Sequence, residues 1–149
     1  MFHLSRKTDY GLILVLELLQ KKMEGNEVPM SLADVAKKYY ISFFFLQKIA
    51  KQLREKGFIE AQRGKIGGYT IAKEAEETTL YELFMALEGS VSIISCFNSK
   101  SPMPFLEKKC EVPAHKGLAA VNEELKKLLT ATKLKNFFKT PAALLNPTS

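Results

Sequence analysis

The chain has 149 residues, 46% of them apolar, and a formal net charge of +6, which suffices for one compact domain or a small domain with an appendage. No apolar run approaches the ~20 residues of a membrane-spanning helix, and two cysteines without a C-x-x-C pattern do not make a secreted disulfide scaffold. The positive charge is local: residues 37–73 carry nine basic and two acidic side chains, whereas residues 1–36 are net −1 and residues 74–149 net 0, the footprint of a phosphate-backbone binder or, failing that, of a solvated lysine-rich face.

Residues 5–24 read as the first helix, with Ser5 or Thr8 as its cap and Asp9 in the first turn, where a carboxylate suits the helix dipole. Gln20, Lys21 and Lys22 follow the apolar stretch Leu12–Leu19 with no small-residue cleavage site, so the N-terminus reads as a cytoplasmic helix and not as a signal peptide. This helix is apolar nearly all round, as for a helix at a domain centre or a subunit interface. Gly25 is the expected stop, and Val28–Met30 a short extended connection. Ser31-Leu-Ala-Asp34 opens a short helix through a cap in which Asp34 replaces the usual Glu or Gln. Tyr40 and Ile41 turn the chain, and Ser42 caps a longer, basic helix that runs to Lys56. Two helices joined by a tight turn follow helix-turn-helix logic over residues 31–56.

Within Phe43–Lys56, the residues Leu46, Ile49, Ala50 and Leu53 form the core stripe. The opposite face carries Phe44, Lys48, Lys51 and Glu55, with Gln47 on its flank. Gln47 and Lys48 suit base reading, Lys51 suits phosphate, and Phe44 suits thymine methyl groups. Any surface helix turns polar residues outward, however, and Phe44 fits a hydrophobic cluster with Phe43 and Phe45 as well. Residues 58–72 form two β-prone runs around Arg63-Gly64-Lys65-Ile66-Gly67-Gly68. Glycines allow a tight hairpin, and a basic tip suits a narrow minor groove; an ordinary hairpin with a basic tip is the plainer reading. No GK[ST] follows and no helix opens there, which excludes a P-loop.

Thr79-x-x-Glu82 is a capping box, and Gly89 ends the helix it starts. Val91–Phe97 reads as apolar and extended, and residues 98–113 as a loop rich in Ser, Asn and Pro. From about 114 to 130 a helix resumes, with Leu118, Val121, Leu125 and Leu128 as a short seam suited to pairing in a dimer. Thr132 caps a last short helix, and residues 141–149 are a flexible tail. The expected fold is mainly α with a small β-hairpin wing. A winged helix-turn-helix over 1–89 precedes a segment over 90–113 flanked by Cys96 and Cys110, then a C-terminal dimerisation helix and short terminal helix over 114–140. There is no H-E-x-x-H or G-x-S-x-G, so an enzyme is not expected.

Five ordered segments carry a family resemblance: S-R-K-T-D-Y-G-L, S-L-A-D-V-A, I-S-x-x-F-L-Q-K-I-x-x-x-L-R-x-x-G-F-I, R-G-K-I-G-G-Y-T-I-A and T-L-Y-E-L-F-M-A-L-E-G. The chain resembles the IscR/NsrR/CymR-like bacterial winged-helix regulators across nearly its whole length. The resemblance implies a homodimer on a pseudo-palindromic operator in double-stranded DNA, with the helix from Ser42 in the major groove and Arg63 in the minor groove; the leading expectation is a transcriptional regulator acting as a repressor. By position Phe44, Gln47 and Lys48 occupy the family's base-reading slots, and the expected DNA-facing set is Ser31, Ser42, Phe43, Phe44, Gln47, Lys48, Lys51, Arg63, Gly64 and Lys65. Phe44 departs from the polar residue that relatives often present there. Many relatives hold an iron–sulfur cluster with three cysteines in the loop before the dimer helix and a fourth ligand. Here Cys96 and Cys110 match the outer two positions and the middle one is missing. His115 and His3 are further ligand candidates, and Asp9 sits where some relatives supply a carboxylate from the partner chain. An iron–sulfur cluster with non-cysteine ligands, a redox-active thiol pair and the absence of any cofactor all stay open. The alternative function is a winged-helix interaction module without DNA binding, which the local +7 disfavours.

Overall fold

In the computed structural model the described residues are 4–65, 67–93 and 113–139. Helix α1 spans Arg6–Met23. Ser5 is its cap, accepting the Thr8 N–H at 3.1 Å, while Thr8 itself is buried. One face of α1, with Leu14, Val15, Leu18 and Leu19, lies in the core; Leu12, Ile13 and Leu16 are half-buried against it. At its end, Gly25 N–H donates to Lys22 O and Asn26 N–H to Lys21 O, with Gly25 at φ +74°. That left-handed turn absorbs two orphan carbonyls.

Helix α2 spans Leu32–Tyr39. Ser31 accepts the Ala33 N–H at 3.1 Å, and Asp34 does not complete a capping box. Tyr40 takes a left-handed conformation at φ 55° and the chain re-enters a helix at once. Helix α3 spans Phe43–Glu55, with Leu46, Ile49, Ala50 and Leu53 buried as the periodicity predicts. Ser42 occupies the cap position, but its hydroxyl makes no cap hydrogen bond, contrary to expectation. Helix α3 ends in a Schellman turn: Gly57 N–H donates to Arg54 O and Phe58 N–H to Leu53 O, with Gly57 at φ +79°.

Strand β1, Ile59–Gln62, follows directly and pairs antiparallel with β2, Gly68–Ile71, Ile59 facing Ile71 and Gln62 facing Gly68. The extended connection before α2 joins this sheet, since Met30 and Tyr69 exchange both backbone hydrogen bonds at 2.9 Å. A Cβ on Gly68 would lie 2.5 Å from Met30 O, so the close approach requires glycine. Helix α4, Leu80–Glu88, carries the complete capping box of Thr79 and Glu82 and stops at Gly89, φ +78°.

Helix α5 spans Pro113–Ala131. Pro113, expected in the loop, is its first residue, where a missing N–H does no harm. Thr132 does not cap the terminal 3-10 turn Leu134–Phe138; its hydroxyl donates to Leu128 O at 2.8 Å, and Lys133 takes the cap position. The end of the described chain is stitched to the start of α4. Leu80 N–H donates to Thr132 O at 2.8 Å, Leu134 N–H donates to Thr78 O at 3.0 Å, and Leu134 sits fully buried in the same core as α1, α3 and α4. The whole is a winged helix-turn-helix, mainly α with one hairpin. His3, Cys96, Cys110 and residues 141–149 lie outside the described residues.

Candidate nucleic-acid interface

Helix α3 divides its side chains cleanly. Its inner stripe is held by the core, so its outer face is presented with a fixed orientation, and Phe44, Gln47, Lys48 and Lys51 are exposed there. Phe43 is partly exposed at 39% and Phe44 at 76%, their rings edge to face. Phe45 turns the other way and packs edge-on against Tyr10. Lys51 has only a 4.0 Å approach to Glu55 one turn on, a solvated pair that leaves its charge available. Ser31 is committed to its cap, and Ser42 is exposed. At the hairpin tip Arg63, Gly64 and Lys65 are all exposed, and Gly64 has φ +142°, a left-handed backbone that glycine adopts freely.

The α2 lysines are not equivalent. Lys38 binds the Glu17 carboxylate at 2.9 Å, and Tyr39 donates its hydroxyl to the same group. Burial works to raise the Glu17 carboxyl, but these two hydrogen bonds outweigh it and hold it below the usual carboxylate range. Lys38 is thereby tied to α1.

Two polar contacts that periodicity does not reveal hold α3 in place. Gln52, on the edge of the core stripe, donates its amide to Ala86 O at 2.8 Å and Leu87 O at 3.0 Å, satisfying carbonyls at the end of α4. The next residue, Glu88, accepts from the Ser5 and Thr8 hydroxyls at the start of α1 and faces Lys7 at 3.8 Å. Burial raises the Glu88 carboxyl, and the hydroxyls and Lys7 more than reverse it. The beginning of α1, the end of α4 and α3 thus meet at residues 86–88, just before Gly89.

Beside this junction a groove of about 530 Å³ lies between α1, α4, residues 90–93 and α5, lined by Leu4, Phe84, Ile93, Leu125 and Leu129 among others. The predicted dimer seam is split. Val121 is 54% and Leu128 45% exposed, Leu118 and Leu125 are half-buried, and Leu129 turns into the protomer. Asn122 accepts the Ile93 N–H at 3.0 Å and fastens the segment after α4 to α5.

The donor set for an iron–sulfur cluster is thin. A cluster held by cysteines takes four thiolates, and the whole chain has two. Asp9 is exposed on α1 and His115 half-buried on α5, and neither lines the groove at the junction. Among the described residues no group of three or more His, Cys, Asp or Glu is placed to hold a metal. These residues do not fit a cysteine-ligated cluster within one protomer. No helix among the described residues is long and apolar enough to cross a membrane.

Comparison with known proteins supports the fold and identifies the family. A family model described as Rrf2, iron-dependent transcriptional regulator, matches residues 4–140. The HTH-type transcriptional regulator NsrR of Shouchella clausii is 35% identical over 120 residues, 78% of each chain. IscR of Cereibacter sphaeroides is 37% identical over 89 residues, which span 60% of this chain and 57% of that protein. Among solved structures, CymR, the global cysteine regulator of B. subtilis, superposes with a TM-score of 0.69 at 27% identity, over 92% of this chain and 96% of that one.

Proposed function

The chain belongs to the Rrf2 family of DNA-binding transcriptional regulators, and on that premise we propose that it is a homodimeric, sequence-specific repressor. In this reading α3 enters the major groove, the Arg63–Lys65 tip enters the flanking minor groove, and the exposed seam of α5 meets its copy across a two-fold axis. The observation that carries it is the coincidence of charge and exposure: the whole positive excess lies on residues 37–73, and the outer side chains of α3 and the hairpin tip are all solvent-facing. A two-fold dimer reads two half-sites about 34–36 Å apart, one helical turn of DNA. Val121 and Leu128 supply the apolar surface for pairing. Control is assigned to residues 90–113, which carry Cys96 and Cys110 and begin at the α1–α4–α3 junction.

Sedimentation and low-salt gel shifts test this reading together. The intact protein is expected to sediment as a dimer and to shift duplex DNA. Val121→Glu with Leu128→Glu is expected to give a folded monomer with much weaker binding. A protein that shifts no duplex at low salt would instead be a winged-helix interaction module. Anaerobic purification with an iron assay, an absorption spectrum and a thiol count separates the candidate signals. Iron and a visible chromophore indicate a cluster, and loss of two thiols on oxidation with altered DNA affinity indicates the Cys96–Cys110 pair.

A further inference from the structure

The two most exposed large apolar side chains among the described residues are Tyr40, at 96%, and Phe44, at 76%, and both stand where α3 begins. The run Phe43-Phe44-Phe45 is divided by the fold. Phe45 is drawn inward against Tyr10, with ring centroids 5.8 Å apart, and serves the core. Phe43 and Phe44 stay out, braced edge to face with centroids 6.0 Å apart and planes at 67°. The three rings therefore do not form one cluster: Phe43 and Phe44 pair with each other in solvent, and Phe45 packs on Tyr10. An exposed apolar patch on an otherwise polar face marks an interaction surface.

Its occupant follows from its surroundings. Gln47, Lys48 and Lys51 continue the same outer face, and residues 37–73 hold nine basic side chains against two acidic ones. That rim suits a polyanion. The first residues of a recognition helix are those that reach base edges, and Phe43 and Phe44 are the first two residues of α3. A phenyl ring has no donor or acceptor to offer a base edge. The apolar group that the major groove displays is the pyrimidine C5-methyl, carried by thymine. A G·C pair in the same place would have its polar edge covered and unpaired, which selects against it.

We propose that Phe44, braced by Phe43, reads thymine C5-methyl groups in the major groove, so that each operator half-site carries a thymine step beneath the start of α3. This rests on the reading of α3 as a major-groove helix. Sequence preference then arises at this position from removal of methyl groups from water, and at Gln47 and Lys48 from hydrogen bonding.

The test uses the full chain and a duplex that it enriches from a random-sequence pool. Each half-site thymine is replaced by deoxyuridine, which removes only the methyl group, and separately by 5-methylcytosine, which keeps the methyl and changes the polar edge. Deoxyuridine at the thymine step is expected to weaken binding about fourfold per methyl, the factor for burying one such group. The 5-methylcytosine duplex is expected to bind more tightly than its unmethylated cytosine counterpart. In Phe44→Ala the thymine and uracil duplexes should bind alike, with the salt dependence retained. Equal binding of thymine and uracil duplexes by the unaltered protein would overturn the methyl assignment and leave DNA binding intact. A Phe44→Ala protein that keeps the methyl preference but dissociates to monomer without DNA would reassign the patch to self-association and overturn it too. Failure to enrich any duplex at low salt would remove the DNA reading, and this proposal with it.

Discussion

Salt dependence offers a direct count of the contacts at the interface. Lys48, Lys51, Arg63 and Lys65 are exposed on α3 and the hairpin tip, and the closest acidic group among them is Glu55, 4.0 Å from Lys51. Each phosphate neutralised by such a group releases condensed counterion, so log K falls with log salt by about 0.9 per contact. Four contacts from each of two protomers give a slope of about −7, and a fourfold rise in salt then weakens binding by about four orders of magnitude. A single protomer on one half-site would show a slope of about −3.6. Fluorescence anisotropy on a labelled duplex across a salt series reads the slope directly. Arg63→Ala removes one contact per protomer and should move it to about −5.4, with the largest loss on duplexes whose flanks are A·T-rich and narrow in the minor groove. Phe44→Ala should leave it unchanged. A slope that does not respond to Arg63→Ala would refute the placement of the hairpin in the minor groove, and a slope near zero would refute the electrostatic account altogether.

Three further outcomes follow from the packing. Gly68→Ala would put a Cβ 2.5 Å from Met30 O; relief requires parting Met30 from β2, and thermal unfolding should show a loss of about 1–3 kcal/mol. Gln52→Leu removes the two amide hydrogen bonds to Ala86 and Leu87 carbonyls, with an expected loss of about 1–3 kcal/mol and faster hydrogen exchange in the last turn of α4; unchanged exchange there would refute the bracing role. Glu77 contacts Lys133 and Lys135, whose hydrogen bonds bring its carboxyl from 4.5 down to about 2. A depressed carboxyl contributes its stabilisation above its unfolded pKa and loses it as pH falls through the folded value. The attachment of the Leu134–Phe138 turn should therefore weaken between about pH 4.5 and 2, seen as exchange at the Leu134 amide, and Glu77→Gln should abolish that dependence.

Much of the fold was legible because it is written locally. Leu46, Ile49, Ala50 and Leu53 recur at helical spacing and are buried together. Thr79 and Glu82 are three residues apart and form the capping box they suggest. The basic Gly-rich turn fell between two β-prone runs and became the hairpin tip. The features missed are those decided by partners far along the chain. Nothing near Gln52 signals that its amide meets carbonyls 34 and 35 residues away. Periodicity cannot show that Met30 joins β2, or that Leu134 returns to the core of α1. Ser42 has the right residue type and place for a cap yet forms no cap hydrogen bond, and Asp34 holds a capping-box position without using it. Composition and spacing mark where such bonds are affordable, and tertiary packing decides which are made.

The Schellman turn at Gly57 has a consequence for how such a protein diversifies. Only Lys56, Gly57 and Phe58 separate α3 from β1, both helix-ending hydrogen bonds close across them, and Phe58 is buried. Helix and hairpin are therefore the jaws of a caliper with a welded hinge. One inserted residue would swing the hairpin by about 100° about the helix axis and push Phe58 out of the core. On the proposed reading, substitutions on the outer face of α3 rewrite the letters that are read while the interval between the two grooves stays locked, so the operator of this protein would be free to drift in sequence and bound to hold its spacing.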